Sequence, residues 1–233
     1  MTVAVYGARG FVGSAIVAAL ERRGIDHIPV TRGQMVYEPV AVAINAACPS
    51  QRLRAEREPM WDFYECVGKT ADLYYNTTWD RFVQVSSLSA RYPQNSVYGR
   101  HRLAAEQMVR GLVVRLGPMY GDGLVKGVLT DMLADRTVYA DPDTRYSFAP
   151  VDWIGEQIVD LALGPRTGVV EVGGSGSLTL RSVAEQIDSL SDFLPSDFLP
   201  AREDQVVVSD DAPPSRLVFD WLNAQAGPAT VAV

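Results

Sequence analysis

Three side chains in the middle of the chain have the types and spacing of a proton-transfer site for a carbonyl group: Ser87, Tyr98 and Arg102. Ser87 ends the run Arg81-Phe-Val-Gln-Val-Ser86-Ser87, which reads as a buried strand, and the C-terminal end of a strand is where open α/β sheets bind ligands. Tyr98 and Arg102 stand four apart in a stretch, residues 96–109, that reads as a helix, so they share one face. A free phenol titrates near 10, and it needs a neighbouring cation to exchange protons near neutrality. A cation about 5 Å away, at an effective dielectric of about 20, supplies roughly 3 kcal/mol, or about two pKa units. Serine would hydrogen-bond the substrate oxygen while the tyrosine supplies its proton. Such a site also needs a source of hydride.

The elements that would position these groups begin at the N-terminus. Val3-Ala4-Val5-Tyr6 is an apolar strand that turns through Gly7, Gly10 and Gly13 into a helix over residues 11–23, ended by Gly24. Read physically, this is a pyrophosphate site. Gly7 makes the turn, Gly10 lets the backbone approach the phosphates, Gly13 lets the helix lie against the strand, and the helix N-terminus, with Phe11 and Val12, faces the anion. A second strand, 27–31, ends in Thr31-Arg32, where dinucleotide folds meet the adenosine ribose. Arg32, with Arg9 inside the turn and no carboxylate at hand in the sequence, favours NADP(H) over NAD(H). From Gly33 to Pro39 there is almost no room for a crossover helix before the next strand, Val40–Asn45. Residues 52–75 read as helical, with Pro59 as the real start, and Leu112–Leu116 as a further strand. Later come a helix near 126–134, another ending at Leu163, a strand at Gly168–Val172, and helices near 181–190 and 215–223.

These patterns predict an α/β fold, a doubly wound parallel sheet of Rossmann type with a small C-terminal substrate-binding part. Residues 1–116 with 151–172 would form the dinucleotide-binding core, and 117–150 with 173–233 the smaller part. The 233 residues, net charge of −7 and pI near 4.9 argue against nucleic acid or an anionic membrane as partner. With no apolar run long enough for a membrane span and no signal peptide before the first strand, a cytoplasmic location is expected. Cys48 and Cys66 read as reduced thiols, and no base is in view to make Cys48 a nucleophile. With His27 and His101 as the two histidines, no metal site is expected, and His101 reads as a solvated helix residue. A tandem Ser-Asp-Phe-Leu-Pro, 191–195 and 196–200, reads as a duplicated loop.

The chain resembles the extended short-chain dehydrogenase/reductases, the NAD(P)-dependent epimerase/dehydratase family that acts on nucleotide sugars. The resemblance rests on Gly7-x-x-Gly10-x-x-Gly13, Ile44-Asn45-Ala46-Ala47, Ser86-Ser87, Tyr98-Gly-x-x-Arg102 with Ala105-Glu106, Val114-Arg115-Leu116 with Tyr120-Gly121, and Pro150-Val-Asp152. The Ile-Asn-Ala-Ala strand and short early region are most similar to dTDP-4-dehydrorhamnose reductases. The resemblance implies that Ser87, Tyr98 and Arg102 are catalytic. It implies cofactor contacts at Asn45, Ala46, Ala47, Ser86, Leu116 and Gly117, besides Tyr98 and Arg102, and substrate contacts at Ser87, Met119 and Tyr120, although Tyr120 also reads as a packing residue. Three departures stand out: Arg102 replaces the family lysine, Glu65 replaces an asparagine ahead of Gly68, and the chain is short. The expected function is NADPH-dependent reduction of a keto group on a nucleotide sugar or similar small molecule, with a homodimer as the assembly the resemblance implies. An NAD-dependent sugar-nucleotide epimerase and a catalytically weakened NADP-binding sensor or regulatory protein are the alternatives. Leu88-Ser89 stand where dehydratases carry an Asp-Glu pair, which argues against dehydration.

Overall fold

A computed structural model describes residues 1–193 and 202–226; the tandem segment from Leu194 and the tail from Gly227 lie outside the described residues. The chain divides into two compact units, Met1–Leu116 with Val151–Val172, and Gly117–Pro150 with Gly173–Val233.

The first unit opens with β1 (Val3–Tyr6), whose four residues are all buried, and α1 (Phe11–Arg22), which buries Ile16 and Leu20 completely. Each such side chain contributes about 1.5–3 kcal/mol of apolar burial. The helix stops as expected: the Gly24 amide donates to the Glu21 carbonyl at 3.0 Å and the Ile25 amide to the Leu20 carbonyl at 3.0 Å, a Schellman closure. Next come β2 (His27–Val30) and β3 (Val40–Asn45), then α2 (Arg52–Arg57) and α3 (Pro59–Phe63). A π-helical turn over Tyr64–Gly68 leads into α4 (Lys69–Asn76). The stretch expected as one helix is thus four pieces, and Pro59 does begin one of them, at a first-turn position that needs no amide hydrogen. β4 (Trp79–Ser87), a short 3-10 turn (Leu88–Arg91), α5 (Val97–Gln107) and β5 (Leu112–Leu116) complete this stretch. The Ser96 hydroxyl caps α5 by accepting from the Gly99 amide at 3.1 Å.

The second unit then contributes β6 (Met119–Tyr120), α6 (Val128–Leu133), β7 (Arg145–Tyr146) and β8 (Ala149–Pro150). The chain returns to the first unit with α7 (Val151–Leu163) and β9 (Gly168–Val172). It finishes in the second unit with β10 (Leu178–Thr179), α8 (Leu180–Gln186) and α9 (Val218–Ala226). There, β6 pairs with β8 and β10 with β7, around a core that includes Leu129, Met132, Phe148, Leu180 and Leu222. Among the described residues no helix is long and apolar enough to cross a membrane.

The first unit is organised by a six-stranded parallel sheet in the order β2-β1-β3-β4-β5-β9. β1 therefore has β2 on one side and β3 on the other, the arrangement that opens a crevice at the C-terminal ends of the two inner strands. The nine residues between β2 and β3 pass β1 with no helix, as their number requires. One face carries a cluster of Tyr6, Val36, Leu73 and Phe82 with Tyr74 and Trp79, and α1 packs beside α7.

Candidate functional site

The crevice is built first from backbone. Gly7 follows the buried β1 with φ of 81°, a left-handed conformation that a side chain resists, and a Cβ there would stand 2.7 Å from the Ala46 carbonyl oxygen. A Cβ at Gly13 would stand 2.1 Å from the Gly7 carbonyl oxygen. Both contacts are with backbone, so these two positions allow glycine alone without moving the turn. The Ala46 amide donates to the Tyr6 carbonyl at 2.9 Å and the Ala47 amide to the Asn45 side-chain oxygen at 3.1 Å, which fixes the end of β3 under the turn. α1 starts with Gly10 as its N-cap and no capping side chain; Ser14 is the first residue whose amide finds a helical carbonyl, that of Gly10, at 2.8 Å. The amides of Phe11, Val12 and Gly13 precede that first helical bond, at the positive end of the helix dipole. A narrow, side-chain-free cradle ending on uncapped amides fits a pyrophosphate.

Asn45 is buried and its side chain is consumed internally. Its amide donates to the Gln84 side-chain oxygen at 2.9 Å and to the Thr70 hydroxyl at 3.1 Å. Gln84 is the polar residue set between Val83 and Val85 in β4, and it was legible only by that contrast. Asn45 thus shapes the Ala46-Ala47 turn rather than presenting a side chain to a ligand.

Arg9 is exposed and has no hydrogen-bond or ion-pair partner among the described residues. Arg32 differs from expectation. An acid does stand beside it: Glu65, from the π-helical turn, lies 3.3 Å from its guanidinium and also pairs with Lys69 at 2.6 Å. The carboxylate comes from 33 residues away in sequence, which is why local reading found none. Arg32 is 81% exposed, so this pair is worth at most about 1 kcal/mol and is easily released.

Ser87 and Tyr98 sit at the C-terminal side of β4. The Ser87 hydroxyl oxygen accepts from the Ser89 amide at 3.2 Å, which leaves its proton available to donate. Tyr98 is buried, and the Arg102 guanidinium lies over its ring at 4.7 Å from the centroid. Arg102 is itself buried and donates to the Pro49 carbonyl. Burial opposes its charge, while Tyr98, Cys66, Cys48 and Asp62 favour it, and the balance lies toward the charged form. The Arg102–Pro49 bond ties α5 to the loop after β3. The two residues expected on one helix face do meet, with the guanidinium over the ring.

Ser86 is buried, and its hydroxyl donates to Glu106 at 2.6 Å. Glu106, buried on α5, also accepts from Arg115 of β5 at 2.9 Å and 2.6 Å. This chain of contacts sets α5 against the ends of β4 and β5, so the Ser86 side chain positions the site from beneath. Leu116 pairs in register with Ser87. His101 also departs from expectation: only 13% exposed, its ring nitrogen lies 2.8 Å from the buried Asp62 of α3, a residue that sequence reading did not single out.

Gly117, Met119 and Tyr120 belong to the second unit. Tyr120 is buried in that unit's core, its ring 5.9 Å from that of Trp221, and its phenol is pushed up to about 12 by burial and then by the charge of Asp220. Its side chain packs the core there, the second of the two roles expected of it.

No protein-family model matches the sequence, and a search of curated proteins finds no match. Solved structures do resemble the chain. MoeE5 in complex with UDP-glucose and NAD has a TM-score of 0.78 at 16% identity, over 94% of this chain and 92% of its own. The UDP-glucose 4-epimerase of Thermotoga maritima with UDP-glucose has a TM-score of 0.77 at 16% identity, over 97% and 99%. The dTDP-4-dehydrorhamnose reductase of Bacillus anthracis in complex with NADP has a TM-score of 0.76 at 15% identity, over 96% and 98%. The chain shares the Rossmann-type α/β fold of these structures, a parallel six-stranded sheet flanked by helices.

Proposed function

We propose that the chain is an NADP(H)-preferring oxidoreductase that reduces a keto group on a nucleotide sugar or similar small molecule. The observation that supports this most directly is the glycine cradle at the end of β1, which ends on uncapped α1 amides in the same unit as Ser87 and Tyr98. Here the first-turn amides of α1 hold the pyrophosphate and the exposed Arg9 reaches the 2′-phosphate. A bound nicotinamide dinucleotide supplies the hydride. Ser87, anchored by the Ser89 amide, donates a hydrogen bond to the keto oxygen and polarises the carbonyl. Tyr98 then delivers a proton to that oxygen, and Arg102 keeps a positive charge against the tyrosine ring throughout. The substrate class, a nucleotide sugar, is taken from proteins of this fold: two bound to UDP-glucose and a dTDP-4-dehydrorhamnose reductase. A second reading, an NAD-dependent epimerase, draws support from Glu65: once released from Arg32, its carboxylate is an acceptor for the free ribose hydroxyl of NAD.

The test is NADPH oxidation against a panel of keto sugar nucleotides, with Tyr98→Phe beside the parent. Loss of the proton donor is expected to lower turnover by about 10²–10⁴-fold while nucleotide affinity stays unchanged. Parent-like turnover in Tyr98→Phe would remove the tyrosine from the mechanism. Absence of NADPH oxidation with every keto sugar in the panel would overturn the reductase reading.

A further inference from the structure

Beside Arg102 lie two cysteines that the reductase mechanism does not use. Cys48 is half-buried in the turn after β3, between Ala47 and Pro49, and Cys66 is fully buried in the π-helical turn. The Cys48 sulfur lies 3.5 Å from the Gln84 side-chain amide, which donates to it, 3.6 Å from the Thr70 hydroxyl, and 3.9 Å from the Cys66 carbonyl oxygen. The Cys66 thiol is 3.7 Å from the His101 carbonyl oxygen. The Gln84 amide of β4 and the Thr70 hydroxyl of α4 can stabilise a thiolate at Cys48, and the Cys66 backbone reaches the same sulfur from a third element.

We propose that Cys48 and Cys66 form a peroxide-oxidised thiol pair, with Cys48 the attacking sulfur and Cys66 the thiol that closes the disulfide.

The electrostatics agree with the geometry. The Cys48 thiol is lowered to about 6 because the Cys66 thiol hydrogen-bonds it; burial opposes this, and the Arg102 cation, Thr70 and Gln84 add to it. Cys66 moves the opposite way, raised by its bond to Cys48 and by burial, with Asp62 adding to the rise and Arg102 opposing it. Arg102 on α5, with Tyr98 against it, and Asp62 on α3, paired with His101, are the charged and titratable groups facing the pair. Cys48 is thus the more readily ionised of the two thiols, the division of labour that peroxide oxidation requires. The Cys48 thiolate attacks one oxygen of hydrogen peroxide and the O–O bond breaks. The hydroxide that leaves takes a proton from solvent as water, and Cys48 becomes a sulfenic acid. The Cys66 sulfur then attacks the Cys48 sulfur, the S–O bond breaks, and a second water departs with the Cys66 proton. Two thiols are oxidised by two electrons in all, and one peroxide is reduced to two waters. Thiol–disulfide exchange with a dithiol reverses the change.

The experiment uses the full chain treated with equimolar hydrogen peroxide at neutral pH, then alkylated and mapped by mass spectrometry without reduction. A Cys48–Cys66 linked peptide, two hydrogens lighter than its parts and lost on dithiothreitol treatment, is expected. In Cys66→Ser, dimedone is expected to capture a sulfenic acid at Cys48; in Cys48→Ser, Cys66 is expected to stay reduced. Iodoacetamide labelling of Cys48 in the untreated parent is expected to titrate with a midpoint near 6 rather than about 8.5. Both thiols intact after peroxide, or a labelling midpoint at or above that of free cysteine, would overturn the proposal. Mapping and labelling of the parent decide the matter even if a serine variant fails to fold.

Discussion

Replacing Gly10 with serine is expected to separate folding from cofactor binding. Gly10 has φ of −75° and ψ of 163°, an extended conformation open to any residue, and an added Cβ would meet only the Gly7 carbonyl oxygen, at 3.2 Å. That contact is tight, and the Gly7 carbonyl oxygen must give by a few tenths of an ångström. Serine is a better N-cap than glycine by a few tenths of a kcal/mol, since its hydroxyl accepts from the amide of Val12 or Gly13. The two effects offset, and stability should change by less than about 0.5 kcal/mol. Binding should change far more, because the serine oxygen takes an amide that the pyrophosphate needs, and a hydrogen bond to a charged group is worth about 1.5–3 kcal/mol. The expected loss of nucleotide affinity is about 10–150-fold. Gly24→Ala is the control: φ is 63° with nothing within 4 Å of the added Cβ, so it should cost about 1 kcal/mol through backbone conformation and leave binding alone. Urea denaturation reports stability, with an unchanged slope as the sign of an intact two-state comparison, and calorimetric titration with NADPH reports affinity. Parent-like affinity in a stably folded Gly10→Ser protein would refute the pyrophosphate reading of the turn. Loss of affinity accompanied by more than about 2 kcal/mol of destabilisation would refute the claimed separation.

Two further outcomes concern charged side chains. Glu106→Gln removes the charge that holds Ser86 and Arg115, and should cost about 3 kcal/mol, the low end for breaking a buried pair because Arg115 keeps Glu171 at 3.8 Å; a loss under about 1 kcal/mol in urea denaturation would show that the network is not what seats α5. Arg9→Ala should weaken NADPH by about 5–10-fold, near 1–1.4 kcal/mol, and leave NADH unchanged in parallel titrations. Equal loss for both nucleotides would end the assignment of Arg9 to the 2′-phosphate.

What the sequence made legible was local. β3, β5 and β9 have the bounds that their short apolar runs suggest: β3 and β5 are largely buried and close at Asn45 and before Gly117, while the edge strand β9 runs from Gly168 and buries only Val172. The glycine turn was readable because each glycine answers one steric demand within ten residues of chain. The side of β1 on which β3 lies was not readable, since neither the run Val40–Asn45 nor the loop before it encodes a neighbour. The same holds for the site's charges. Arg32 meets Glu65 across 33 residues, and His101 meets Asp62 across 39, in a region broken by a π-helical turn that shifts the face each residue presents. Spacing arguments assume regular helix, and they fail where the helix is irregular. Among the candidate catalytic residues, Tyr98 and Arg102 escaped this problem because α5 is regular and capped at Ser96.

Arg102 shows how one substitution reaches several parts of the site. An ammonium would place a point charge with freely turning donors, whereas the guanidinium is planar, and here it uses that plane to lie on the Tyr98 ring and one nitrogen to hold the Pro49 carbonyl. Its Nε is buried with no hydrogen-bond partner, a cost that a shorter lysine would not carry. The charge also stands beside Cys48, whose thiolate it favours, so the tyrosine and the thiol pair depend on the same cation. Oxidation of Cys48 to a disulfide would remove the negative partner while leaving the positive one in place beside Tyr98. If the proposed disulfide forms, arginine at this position couples the redox state of the Cys48 turn to the electrostatic surroundings of the tyrosine, through contacts that are all within the first unit.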